Sequence, residues 1–367
     1  MKNILLISAD FPYTYYQFAR AFKNNGMNVF VIGGTPYNEI CDELKNNVTR
    51  YYQCGDMENL NSMINIVGCI INEYGPIDFL ESNNEYWLRN DSILREWFGI
   101  SSGIYPSQLD DYQRKSSMKK YFEDGGVKVA PYLLVNDWQS LEEFAEKFGY
   151  PLFAKPDIGV GAGGNYKIQN HEELVGFFNE KPANIQYICE VFVKSTSIVT
   201  FDGVADINSN GVYVASMVCP PSIFEIKEKG DEMFYYYLDH VDPKLEKMGR
   251  KTIKAMGLKN RFFHTEFFVA AEDLKGYFKK GDYVGIEVNI RTPGGYTPDM
   301  QDFALSTSVY DIFADTVCFN KSDVQPGERF FLGNASRRFN KKKNRKFRFF
   351  YKTNKLLQLR CYYLRPS

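Results

Sequence analysis

A chain of 367 residues, 44% hydrophobic and 24% charged, has the composition of a globular protein with room for two or three domains. Its seven cysteines, at 41, 54, 69, 189, 219, 318 and 361, form no C-x-x-C pair and have only three histidines beside them, which excludes a zinc-ligand set and a disulfide framework. The odd count points to reduced thiols and a cytoplasmic setting, and without an apolar stretch of 18 residues no membrane partner is expected.

Residues 1–108 alternate strand-like and helix-like patterns. Residues 4–8 form a short apolar run, 15–23 a helical stretch ending near Asn25-Gly26, and 29–32 a second apolar run closed by Gly33-Gly34. Strand, helix, strand at this spacing predicts a parallel sheet. Met63, Ile64, Val67, Ile70 and Ile71 recur at helical spacing, and Ile77-Asp78-Phe79-Leu80 then leads into Glu81-Ser82-Asn83-Asn84-Glu85. Open α/β sheets bind ligands beyond the ends of their strands, which makes Glu81 and Glu85 candidate substrate contacts. The alternative for both is an acidic first turn on the helix that follows.

A second unit begins near Asp110. Met118, Tyr121 and Phe122 mark a helix that stops at Gly125-Gly126, and residues 127–135 read as one strand entering the next module. Asp137 caps a helix with Leu141, Phe144, Ala145 and Phe148 on one face and Gly149 past its end. Next comes Phe153-Ala154-Lys155-Pro156-Asp157-Ile158-Gly159-Val160-Gly161-Ala162-Gly163-Gly164, a strand lysine followed by a glycine-rich loop. Glycines let backbone N–H groups close on phosphate oxygens, and an ammonium offsets their charge. The lysine precedes the glycines and no G-K-[ST] is present, so this is not a Walker loop, and G-x-G-x-G-G is not the Rossmann fingerprint. The competing reading of Gly159, Gly161, Gly163 and Gly164 is a flexible turn. Strand 185–189 runs on to Glu190-Val191-Phe192-Val193, and 198–206 pairs with 212–218 around Asn208-Ser209-Asn210-Gly211.

The densest chemistry lies in residues 262–295. Glu287 and Asn289 are two apart in an apolar β-pattern, so they share a face while Ile286, Val288 and Ile290 take the other. In Phe262-Phe263-His264-Thr265-Glu266-Phe267-Phe268, His264 and Glu266 likewise share a face. The polar segment 272–282, with Gly276 and Gly281, folds the second strand back on the first and sets Glu266 across from the Glu287/Asn289 pair. Carboxylates and a carboxamide together suit Mg²⁺, with Mn²⁺ as an acceptable substitute. The alternative is a half-buried hairpin with ordinary surface acids.

The net charge of −1 conceals an asymmetry: residues 337–367 carry 12 Lys/Arg and no acid, leaving 45 acidic against 32 basic groups in the rest. The tail runs Lys341-Lys342-Lys343-Asn344-Arg345-Lys346 and then Phe347, Phe349, Phe350 and Tyr351, a pattern able to grip nucleic acid. A solvated basic end is the commoner behaviour of such blocks, so nucleic acid is not the expected partner.

In chain order, Lys115, Lys155 with its glycine loop, Glu190-Val191-Phe192-Val193, His264-x-Glu266 and Glu287-x-Asn289-x-Arg291 resemble the ATP-grasp superfamily, over roughly residues 1–330. The resemblance implies an α/β and α+β chain: an N-terminal Rossmann-like domain (1–108), a first ATP-grasp subdomain with its linker (109–190), a second subdomain with the metal site (191–330) and the basic tail (331–367). It implies ATP and Mg²⁺ as cofactors. Lys115 and Lys155 would be the two phosphate lysines, and the backbone of Val191 and Val193, after Glu190, would meet the adenine edge. Glu266, Glu287 and Asn289 would hold metal, and Arg291 the substrate carboxylate or its phosphorylated form, beside Gly294 and Gly295. His264 would either accept the amine's proton or orient Glu266. Two departures stand out. Where many members place an acid for the ribose, this chain has Lys194-Ser195-Thr196-Ser197, and the usual Asn-Pro-Arg is Asn289-Ile290-Arg291.

The chain looks most like the stand-alone carboxylate–amine ligases, which join a small carboxylic acid to an amine, amino acids among them, through an acyl phosphate. A homodimer is compatible with that branch. The alternatives are a biotin-carboxylase-like carboxylation and a non-catalytic nucleotide- or RNA-binding protein.

Overall fold

The computed structural model describes residues 1–159, 163–222, 226 and 232–336. Gly161 and the basic tail 337–367 lie outside the described residues.

Residues 3–81 build a parallel four-stranded sheet in the order Arg50–Gln53, Asn28–Gly33, Asn3–Ile7, Phe79–Glu81. The pairing is in the register Leu5↔Phe30 and Leu5↔Leu80. Asn3–Ile7 is buried along its whole length, as a strand covered on both faces requires. The helices Tyr16–Asn24 and Leu60–Tyr74 are the crossovers that such pairing demands.

The second sheet is the largest. Its path runs Leu332–Ser336, Met233–Tyr237, Met217–Cys219, Ser195–Ala205, Arg261–Ala270, Tyr283–Asn289, Lys128–Val129, with Gly211–Ala215 also on Ser195–Ala205. The 272–282 turn closes the hairpin, and the register pairs Glu266 with Glu287 and His264 with Asn289. The third sheet, Tyr132–Leu134, Tyr187–Val191, Leu152–Pro156, Tyr166–Ile168, is antiparallel throughout.

One expectation is corrected. The single strand over 127–135 is two: Lys128–Val129 pairs in the large sheet and Tyr132–Leu134 in the small one. Pro131 has no N–H to give a ladder and disfavours helix at Ala130, so the chain leaves one sheet and enters the other across these two residues.

The parallel sheet shares a core with the large one. Phe18 meets Phe262 at 6.0 Å between ring centroids and Tyr310 at 4.8 Å. Burying a ring of this size contributes about 2 kcal/mol, which fixes the parallel sheet against Arg261–Ala270 and the helix Val309–Phe319. The six cysteines among the described residues are free, and no described helix is long and apolar enough to cross a membrane.

Candidate active site

The helix Lys115–Asp124 has no cap in its own sequence. Asp157, two residues past Lys155, supplies it: its carboxylate accepts from Ser116 N–H (2.8 Å) and Ser116 Oγ (3.0 Å), and its carbonyl from Lys115 N–H (2.8 Å). The contact brings the helix bearing Lys115 and Lys119 onto the strand bearing Lys155. Two of the three ammonium groups then meet Glu190. Lys119 Nζ lies 2.7 Å from Glu190 Oε1 and Lys155 Nζ 2.9 Å from Oε2. Lys119 also donates to Gly285 O at 3.1 Å, and a Cβ on Gly285 would meet the Phe122 ring at 2.5 Å, so only glycine lets the strand approach this helix. Burial raises the Glu190 pKa, but the two ammoniums outweigh it and hold the carboxyl at about 2. Burial in turn lowers Lys115 and Lys119.

Lys115 Nζ donates to Gly159 O at 3.0 Å, at the start of the glycine loop. Gly164 closes the loop with φ +73°, in the left-handed region that glycine adopts freely, and Gly163 precedes it. Glu287 faces these lysines: burial raises its carboxyl, Lys115 and Lys155 pull harder, and the net shift is downward. Asn289 Nδ2 donates to Glu287 Oε1 at 3.1 Å.

Glu266, opposite Glu287, is held by His264 Nε2 at 3.0 Å, while His264 Nδ1 meets Asp202 Oδ1 at 2.7 Å. With a carboxylate on each ring nitrogen the imidazole keeps both protons. Burial lowers the His264 pKa, but Asp202 and Glu266 overcome it and push it up to about 10. Of the two readings of His264, contact with a carboxylate on each ring nitrogen favours the one in which it orients Glu266 over the one in which it accepts the amine's proton.

Arg291 Nε lies 3.2 Å from Glu85 Oε2, and Arg291 Nη1 donates to Thr292 O at 2.7 Å. Glu85 also accepts from Gln113 Nε2 at 3.1 Å. Gly294 and Gly295 follow as exposed backbone, with Gly294 O accepting from Thr297 Oγ1. Glu81 does not join this group. It is 2% exposed, pairs with Arg95 Nη2 at 3.1 Å and Arg261 Nη1 at 2.6 Å, and accepts the N–H groups of Ser82 (3.1 Å) and Asn83 (3.2 Å). Its substrate reading is corrected, because both oxygens are spent inside the protein. Lys119, Asp157 and Asp202 are the site residues that local pattern does not reveal.

The donor set fits a hard cation. Two carboxylates and a carboxamide from neighbouring strands offer oxygen only, and among the described residues no group of three or more His, Cys, Asp or Glu is gathered to hold a metal ion. Beside it, two of the three lysines are bound to Glu190 and the third to a carbonyl, a cationic lining suited to phosphate.

No family model matches the chain. An L-arginine-specific L-amino acid ligase from Bacillus subtilis is 28% identical over 178 residues, covering 47% of this chain and 42% of that protein. The chain thus spans less than half the length of this curated relative. Among solved structures, L-amino acid ligase from Bacillus licheniformis superposes with TM-score 0.65 and 16% identity over 87% of this chain and 74% of that one. Biotin carboxylase from Campylobacter jejuni superposes with TM-score 0.69 and 16% identity over 89% and 73%. An ADP complex of N5-carboxyaminoimidazole ribonucleotide synthetase gives TM-score 0.66 and 16% identity over 90% and 80%. At these identities the superpositions establish the fold, and the fold is ATP-grasp.

Proposed function

We propose that this chain is an ATP-dependent carboxylate–amine ligase that forms an amide or peptide bond through an acyl phosphate. The observation that carries the reading is the meeting of Lys115 and Lys155, from two elements, with Glu287 from a third. Cations for phosphate and oxygens for a divalent ion stand side by side, as phosphoryl transfer requires.

In this reading the subdomains 109–190 and 191–330 close on the nucleotide. Val191 commits its N–H to Pro131 O at 3.0 Å, and its carbonyl together with the Val193 amide would meet the adenine edge. Glu266, Glu287 and Asn289 would hold Mg²⁺, which supplies charge neutralisation between ATP phosphates. Lys115, Lys155 and the glycines 159, 161, 163 and 164 hold the transferring phosphoryl group. A substrate carboxylate oxygen attacks the γ-phosphorus and the bond to ADP breaks. Arg291 grips the resulting acyl phosphate with two N–H donors. The amine nitrogen then attacks the carbonyl carbon, phosphate leaves with the C–O bonding pair, and the amine's proton passes to solvent. Glu85, at the Arg291 guanidinium, is the group placed to meet a cationic amine. The L-arginine-specific L-amino acid ligation of the B. subtilis relative supports amino acids as the substrate class.

The test is ADP and phosphate release with Mg-ATP against a panel of amino acids and small carboxylic acids, with mass detection of the amide. Release of AMP instead of ADP would overturn the acyl-phosphate route. Failure to bind Mg-ATP in calorimetry would overturn the nucleotide site itself.

A further inference from the structure

Behind the Glu266 carboxylate runs a buried chain of hydrogen bonds that joins five elements. His264 Nδ1 meets Asp202 Oδ1 at 2.7 Å. The other oxygen, Asp202 Oδ2, accepts from Thr200 Oγ1 at 2.8 Å and from the Tyr237 hydroxyl at 3.2 Å. Tyr237 in turn accepts from Gln301 Nε2 at 2.9 Å, and Gln301 Oε1 accepts from the Tyr213 hydroxyl at 2.7 Å. Asp202, Tyr237 and Gln301 are all completely buried.

The donor directions are forced. Asp202 as a carboxylate only accepts, so Tyr237 spends its one proton on it and must receive from Gln301. The Gln301 amide is then locked with nitrogen toward Tyr237 and oxygen toward Tyr213. At the far end His264, with Asp202 Oδ1 2.7 Å from one nitrogen, has its other nitrogen 3.0 Å from Glu266 Oε1. No link can reverse without leaving a buried polar atom unpaired, which costs roughly 1–3 kcal/mol. Gln301 sits on the helix Thr297–Leu305, which begins two residues after the exposed Gly294-Gly295 pair.

We infer that Asp202, Tyr237 and Gln301 are positioning residues: they hold Glu266 through His264 in the orientation a divalent ion needs, and they tie that carboxylate to the helix that follows Arg291 and the two glycines. The inference rests on the reading of Glu266 as a metal ligand. It makes metal occupancy and the order of residues 291–305 one linked property, although none of the three touches metal or nucleotide.

The probe is Mn²⁺ with ADP, followed by electron paramagnetic resonance of free Mn²⁺ and by hydrogen exchange on the full chain. Tyr237→Phe and Gln301→Leu each remove two of these hydrogen bonds and keep an apolar side chain of similar size. Both should weaken Mn²⁺ binding roughly threefold to tenfold, below the tenfold-to-hundredfold range for removing a ligand's direct partner, with Asp202→Asn at the larger end. In wild type, Mn-ADP should slow exchange of amides 291–305 as well as 190–193. In Gln301→Leu the second effect should remain and the first should disappear. Wild-type Mn²⁺ affinity in Tyr237→Phe and Gln301→Leu, with both variants folded, would overturn the inference. Failure of the wild type to bind Mn-ADP would overturn the metal reading beneath it.

Discussion

Glu266 and Glu287 stand directly opposite each other on adjacent antiparallel strands. Like charges in that position repel, and a fold that depended on strand pairing alone would be better without one of them. Lys115 and Lys155 on one side outweigh that repulsion and hold the Glu287 carboxyl below its ordinary value, while His264 on the other side pairs with Glu266. Glu287→Gln is therefore expected to lower thermal stability modestly in the absence of metal, while ATP-dependent turnover falls roughly a hundredfold. Calorimetric unfolding and ADP release measured on the same preparation check the two halves together. Near-normal turnover at low Mg²⁺ would make Glu287 an ordinary strand residue.

Arg291→Lys should spare nucleotide binding and loosen the coupling between ATP cleavage and amide formation. A point-like ammonium does not reproduce the planar two-donor grip of a guanidinium, so the acyl phosphate would be lost to water more often. The measurement is the ratio of amide formed to ADP released at saturating substrates. An unchanged ratio with an unchanged KM for the acid would place Arg291 outside the site.

Lys119→Met addresses a residue that touches no substrate in the proposed scheme. It removes one of the two ammoniums on buried Glu190 and leaves the carboxylate with Lys155 alone. Breaking a buried pair from one side costs about 3–5 kcal/mol, because the surviving charge is stranded. Adding Glu190→Gln to Lys119→Met should recover part of that loss, and a double-mutant cycle in denaturant reads the coupling directly. Additive losses would mean that the short Lys119–Glu190 contact contributes nothing.

The pH dependence of stability has a contributor away from the site. The Asp302 carboxyl is pushed up to about 8, chiefly by burial, against the opposing hydrogen bond from Val309 N–H. Its folded pKa lies above the unfolded value of 3.8, so the stability it adds is fully present below that value and is lost as pH rises through about 8. Asp302→Asn keeps an acceptor for Val309 and cannot ionise. The difference in Tm between pH 5 and pH 8.5 should be smaller in this variant than in wild type, and an equal difference would count against the shift.

What the sequence disclosed and what it withheld divide along physical lines. Glu287 and Asn289 are two apart on a strand, and Lys155 precedes its glycines by a few residues, so short-range periodicity carried both into view. The hairpin from His264 to Asn289 is likewise local, and its register follows from alternation and one polar turn. Asp202 lies 62 residues before His264, and Asp157 lies 41 beyond the serine it caps. Partnerships at that separation leave no periodic trace. Lys119 reads as one more polar residue on a lysine-rich helix, and only the approach of Gly285 turns it inward. Glu81 misled because the end of a parallel strand is a common ligand position, and the two guanidiniums that claim it come from residues 95 and 261.

Those two guanidiniums also decide how the chain can be divided. Arg95 travels with the parallel sheet, but Arg261 opens the strand that carries His264 and Glu266, and it also donates to Ile290 O, next to Arg291, at 3.0 Å. A fragment starting after the parallel sheet would keep every residue assigned to nucleotide, metal and acyl phosphate, yet it would inherit a deeply buried cation with its counter-ion cut away. The first hundred residues are thus part of the electrical wiring of the strand pair that carries Glu266 and Glu287. A chimera that grafts a different front end onto this protein must carry an acid into the place of Glu81, or it will assemble around an unneutralised charge.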